Sequence, residues 1–147
     1  MATNMFKKYD EKKTRRWPVA SGTKAGQVVV HAVSNQIGIT LTARGDDTTG
    51  ANIPGVTGGT VPSGGKSMKA NEATVAVDGS WLLTVTGVSA GDTTAASGGG
   101  TPAGTAVYMT SGGTYTLTST SNTKIGVVDA GYITSDLKTP VLLGANL

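Results

Sequence analysis

The sequence predicts an all-β protein: a small β-barrel or β-sandwich of short antiparallel strands, with long Gly/Thr/Ser loops and an extended N-terminal arm. Three observations point there. Short runs rich in Val, Ile, Thr and Tyr recur between Gly, Ser, Asn and Asp turn signals. No window carries the i, i+3, i+4, i+7 apolar spacing of an amphipathic helix. Charge is segregated: residues 1–24 hold seven of the twelve bases, with only Asp10 and Glu11 against them, a balance of about +5. The remaining residues, 25–147, come to about −2 and form the expected β-rich domain.

The arm comes first. Lys7, Lys8, Lys12, Lys13, Arg15, Arg16 and Lys24 give it a solvated character, and Pro18 disfavours helix at Trp17. From Gly26 the pattern changes. Residues 27–33 are β-branched, Ser34-Asn35 reads as a turn, and Ile37, Ile39 and Leu41 alternate on one face, which predicts a hairpin with a half-buried second strand. Residues 44–71 are dominated by Gly, Thr, Pro and Ser and exceed an ordinary connection.

Thr74–Val77 and Trp81–Val85 flank Asp78-Gly79, a strong local signal for a second hairpin. Another polar, glycine-rich stretch covers 87–105. Residues 106–110 and 114–118 flank Ser111-Gly112-Gly113 and predict a third hairpin. Residues 124–133 read as one strand with Gly126 as a bulge, and Pro140–Leu143 as a last short strand.

Composition narrows the function. With 22 glycines and 5% aromatic residues, little bulky apolar material fills the core, so self-association or docking is expected to supply burial. The absence of cysteine excludes disulfides, thiol catalysis and Cys-based zinc sites. No run of about 18 apolar residues predicts a membrane helix, and the N-terminal charges are not followed by the apolar stretch of a secretory leader.

Several motifs suggest chemistry but lack their context. Gly65-Lys66-Ser67 misses the phosphate-loop spacing by one residue. Gly87-Val88-Ser89-Ala90-Gly91 matches a nucleophile elbow, yet His31, the single histidine, lies upstream rather than downstream. One histidine without cysteine does not build a zinc site. Arg44-Gly45-Asp46 matches an adhesion tripeptide that is common by chance, and Asp46-Asp47 falls short of a calcium ligand set. Neither an enzyme nor a cofactor or metal site is expected.

The strongest candidate site is the arm itself: Phe6, Lys7, Lys8, Tyr9, Lys12, Lys13, Arg15, Arg16 and Trp17. Clustered bases neutralise phosphates or dock on an acidic protein surface. Tyr9 and Trp17 offer rings for base stacking or for anchoring at an interface.

The domain resembles the capsid decoration, or cement, proteins of tailed bacteriophages. The resemblance rests on Ala25-Gly26-Gln27-Val28-Val29-Val30 leading to Ile37-Gly38-Ile39, on Ala103-Gly104-Thr105-Ala106-Val107-Tyr108-Met109, on Ser111–Thr118, and on Lys124-Ile125-Gly126-Val127-Val128, in that order over roughly residues 25–131. It implies a non-enzymatic virion protein, made in the host cytoplasm and seated on the outer surface of an icosahedral head. There it would cement contacts between capsomers of the major capsid protein. It implies self-association, a trimer before a dimer, and an N-terminal arm that adds a strand to the capsid protein. The arm is unusually basic for that family and the loops are long. A nucleic-acid-binding module and a tail- or receptor-associated phage module are the alternatives; nucleic acid is the less expected partner.

Overall fold

The structure is a computed structural model; it describes the backbone of residues 5–7, and residues 14–45, 71–95 and 97–145. Among these residues every regular element is a strand: β1 (Met5–Lys7), β2 (Thr14–Pro18), β3 (Val28–Val30), β4 (Ile37–Thr40), β5 (Glu72–Ala76), β6 (Ser80–Thr86), β7 (Gly91–Asp92), β8 (Ala106–Met109), β9 (Tyr115–Thr116), β10 (Thr123–Val128), β11 (Tyr132–Ile133) and β12 (Lys138–Leu143). The all-β expectation holds.

The chain forms two compact units. One spans Lys13–Val77; the other spans Asp78–Leu147 and takes β1 with it. The division therefore falls after residue 77, not after residue 24. Residues 14–18 are not an arm outside the body but a strand of the first unit.

The first unit is a four-stranded antiparallel sheet in the order β2-β5-β4-β3. Its core is Trp17, Val28, Ile37, Ile39, Ala73, Val75 and Ala76. The expected β3–β4 hairpin is present, with Val28 opposite Ile39 and Asn35 in the left-handed region at φ 57°. Its second strand is covered on both faces rather than half-buried. Gly38 explains how: a Cβ there would overlap Val75 and the Ala76 carbonyl and crowd the Trp17 ring, so only glycine lets those neighbours close over the strand. Thr40 is fully buried and polar. Its hydroxyl donates to Lys24 O at 2.6 Å and accepts the Gln27 N–H at 3.0 Å, which clasps the incoming loop to β4.

The second unit is a closed five-stranded barrel, β6-β12-β10-β8-β9, sealed where β9 returns parallel to β6 with Val85 opposite Tyr115. β7 and β11 form a separate two-stranded ribbon. Alternate residues of β6, namely Trp81, Leu83 and Val85, are buried, as small barrels require, and so are Val107, Ile125, Val127, Val141 and Leu143 on the other staves.

The hairpin expected at Asp78-Gly79 does not form. Gly79 does turn the chain, at φ 95°, but β5 is flanked by β2 and β4 while β6 belongs to the barrel. A local turn signal lost to pairings made elsewhere. The β8–β9 hairpin forms as expected, with Gly113 at φ 81°.

Gly126 is a bulge site, as expected. Lys124 faces Tyr108 and Gly126 faces Val107, so Ile125 is the extra residue and is fully buried. A Cβ on Gly126 would overlap the Leu142 carbonyl of β12. The strand expected over 124–133 breaks at 129–131 into β10 and β11.

The last strand is longer than expected and central, lying between β6 and β10 despite Pro140. Proline cannot donate a ladder bond and is normally confined to edges. Here Asp129 N–H donates to Pro140 O at 2.8 Å, and the return bond that Pro140 cannot make is replaced: the Thr93 hydroxyl donates to Asp129 O at 3.0 Å. The same hydroxyl oxygen accepts the Gly131 N–H at 2.8 Å, which accounts for a threonine buried at this point.

Candidate interaction surface

The cationic residues foreseen as one arm are distributed over strands of both units. Arg15, Arg16 and Trp17 lie on β2, at one edge of the open sheet, opposite Val75, Thr74 and Ala73 of β5. The residue types explain the placement. Val19 N–H donates to Asn71 O at 3.0 Å, so in the antiparallel alternation the nitrogen of Pro18 faces away from β5 and no ladder bond is lost. Arginine and proline on an edge also discourage uncontrolled sheet extension.

Trp17 is not an exposed anchor. It is 5% exposed, packs into the sheet core, and stacks on His31 with ring centroids 5.1 Å apart at 45°. Burial of one large ring is worth more to a sheet poor in aromatics than a surface contact would be. Its Nε1–H is buried without a hydrogen-bond acceptor. Arg15 and Arg16 remain exposed, with Arg15 donating to Thr14 O at 3.1 Å. Two guanidinium groups, always charged and suited to bidentate contact with carboxylates or phosphates, therefore mark this edge.

Phe6 and Lys7 lie on β1, which pairs antiparallel with β6 of the barrel: Met5 opposite Trp81 and Lys7 opposite Ser80, with an irregular register between. Lys8, Tyr9, Lys12 and Lys13 lie outside the described residues, as do Asp46 of the Arg44-Gly45-Asp46 tripeptide, Asp47 and Gly65-Lys66-Ser67.

The other motifs find local employment. Ser89 lies in the connection between β6 and β7, where its N–H donates to Thr101 Oγ1 at 2.8 Å; no helix follows it among the described residues. His31 belongs to the other unit, where Nδ1 pairs with Ser34 Oγ at 2.8 Å. Among the described residues no three His, Asp or Glu side chains gather to hold a metal ion, and no helix is long and apolar enough to cross a membrane.

Three features escaped sequence reading. Val33, at the tip of the β3–β4 hairpin, is 86% exposed, and Tyr132 on β11 is 61% exposed. Ser80 is fully buried with its hydroxyl unpartnered, beside the seat of β1. A short apolar run announces neither exposure nor burial, so none of the three had a sequence signal. No family model, curated protein or solved structure matches the chain.

Proposed function

We propose that this chain is a structural decoration protein that binds the outer surface of an icosahedral phage head and cements contacts between capsomers of the major capsid protein. One observation carries the reading beyond the resemblance. The N-terminal stretch pairs as strands twice over within the chain, β2 on β5 in one unit and β1 on β6 in the other, and Arg15 and Arg16 stay exposed on β2. Strand addition gives backbone affinity without demanding side chains, and charge gives orientation. Many copies, each bound modestly, then hold a lattice through multivalency. The chain self-associates in this reading, as a trimer before a dimer.

The test must respect Trp17. Removing residues 1–17 would take a core side chain with it, so the informative deletion ends at residue 12, before β2. Deletion of residues 1–12 is expected to leave the circular dichroism of the chain unchanged and to abolish co-sedimentation with capsid shells. Normal decoration by the folded, truncated chain would overturn the reading. So would duplex DNA affinity that falls steeply with salt in a chain that ignores shells, the signature of a phosphate-binding arm.

A further inference from the structure

We infer that β1 is an exchangeable strand: in the assembled protein the Met5–Lys7 segment of one copy seats on β6 of a neighbouring copy, at the Ser80–Trp81 end of the barrel. The inference rests on the self-association in the proposed function and names the contact that would produce it.

The barrel does not need β1. Its five staves close through β9, which meets β6 at Val85 and Thr86, whereas β1 meets β6 only at Ser80 and Trp81. β1 is thus an extra strand laid on a finished barrel. Three residues in irregular register contribute little, because short two-stranded pairings are marginal in water.

The pairing is made here within one chain, and a backbone pairing of three residues is the same whichever copy supplies the strand. β2 is built into the sheet unit and β1 into the barrel unit, and only residues 8–13 join them in the chain. A second copy presents the same Met-Phe-Lys backbone to the same edge, so exchange conserves every contact, which is the condition for strand swapping. On a lattice the neighbour's strand is held at high effective concentration, and the equilibrium then favours exchange.

The seat also has an unspent hydrogen bond. Ser80 pairs with Lys7 on one side and Leu142 on the other, and its hydroxyl is buried without a partner. Buried hydroxyls are ordinarily satisfied, so the seat that β1 closes is incompletely stabilised and its pairing is weak enough to exchange.

The chain has no cysteine, which makes the test clean. Cα partners across an antiparallel pair lie within disulfide reach. One full-length chain carries Lys7→Cys and a second carries Ser80→Cys; Ser80 suits the exchange because its hydroxyl has no bond to lose. The two are co-expressed and oxidised, and a Lys7→Cys chain with exposed Ser119→Cys serves as the collision control. The expected result is a covalent species of doubled mass joining the two variants, in large excess over the control. The single-chain double variant K7C/S80C is expected to give linked multimers. If the double variant links only within its own chain and the mixture yields no mixed dimer, β1 stays on its own barrel and the inference is wrong. If neither preparation links, β1 does not sit at Ser80 and the inference is equally wrong. Neither failure touches the decoration reading, which is decided separately by shell binding of the 1–12 deletion.

Discussion

In the open sheet, the tryptophan comes from an edge strand; in the barrel, it comes from a stave with neighbours on both sides. Trp17 of β2 is 5% exposed and its Nε1–H has no acceptor, whereas Trp81 of β6 is fully buried and its Nε1–H donates to Asp78 O at 3.0 Å. The barrel closes through β9 at Val85 and Thr86 and leaves only the Ser80–Trp81 end of β6 for β1; the sheet ends along the whole of β2 and β3. The barrel is therefore the more nearly closed module, and the sheet carries the exposed guanidinium groups on an edge strand.

The largest expected effects test that contrast. Truncating a buried tryptophan to alanine costs about 3–5 kcal/mol through lost transfer energy and the cavity left behind. W81A is expected at the upper end, because it also removes the hydrogen bond from Nε1–H to Asp78 O, and W17A lower, because deleting an unpartnered N–H returns about 1–3 kcal/mol of desolvation cost. Urea denaturation followed by circular dichroism measures both. An equal or larger loss in W17A would break the comparison and make the sheet, not the barrel, the better-satisfied unit.

The buried threonines sharpen it at a smaller scale. Thr93→Val removes the hydroxyl that donates to Asp129 O and accepts from Gly131 N–H, and Pro140 on the facing strand has no N–H to offer in its place, so a loss of about 1–3 kcal/mol is expected. Thr40→Val frees Lys24 O and the Gln27 N–H, but both residues are exposed and water can replace the hydroxyl, so about 1 kcal/mol is expected. Thr93→Ser, which keeps the hydroxyl, should recover most of the loss in the barrel. If Thr93→Val and Thr40→Val cost the same in thermal denaturation, the substitution of a hydroxyl for the missing proline bond has no energetic weight.

Much of this architecture was legible because its causes are local. Ser111-Gly112-Gly113 supplies the positive φ that the β8–β9 turn needs, and Gly126 marks a bulge where the backbone of β12 passes too close for a side chain. What escaped depends on distant residues. Asp78-Gly79 looks like a hairpin, but β2 and β4 already flank β5 and the turn became a crossing between units. Pro140 argues against a central strand until Thr93, far away in sequence, replaces its missing bond. The candidate site was half legible. Charge pattern located Arg15 and Arg16, yet the same pattern put Trp17 on the surface, because nothing local reveals that β5 waits beside it to bury the ring.

The smallest expected effect concerns protons, and it also separates the two units. The clasps of the sheet, Thr23 to Ala20 O and Thr40 to Lys24 O, are neutral hydroxyls with no proton to lose on mild titration. Two turns of the barrel unit use carboxylates instead. The Thr94 hydroxyl donates to Asp92 at 2.6 Å and the Thr94 N–H at 2.8 Å, and the Thr134 hydroxyl donates to Asp136; these bonds hold each carboxyl below its ordinary value of 3.8. A carboxylate whose pKa is lowered by folding adds stability above the ordinary value and loses it as pH falls through the lowered one. Acid should therefore loosen the Thr94 and Thr134 turns while the sheet clasps persist. Both carboxylates face solvent, so the gain in stability is small and the effect is best read locally, from the Thr94 amide resonance. Its midpoint is expected below 3.8, and Asp92→Asn should remove the titration without unfolding the barrel. A Thr94 midpoint at or above the ordinary value would mean that the hydroxyl prefers water to Asp92, and the barrel's turns would then be no more acid-sensitive than the sheet's.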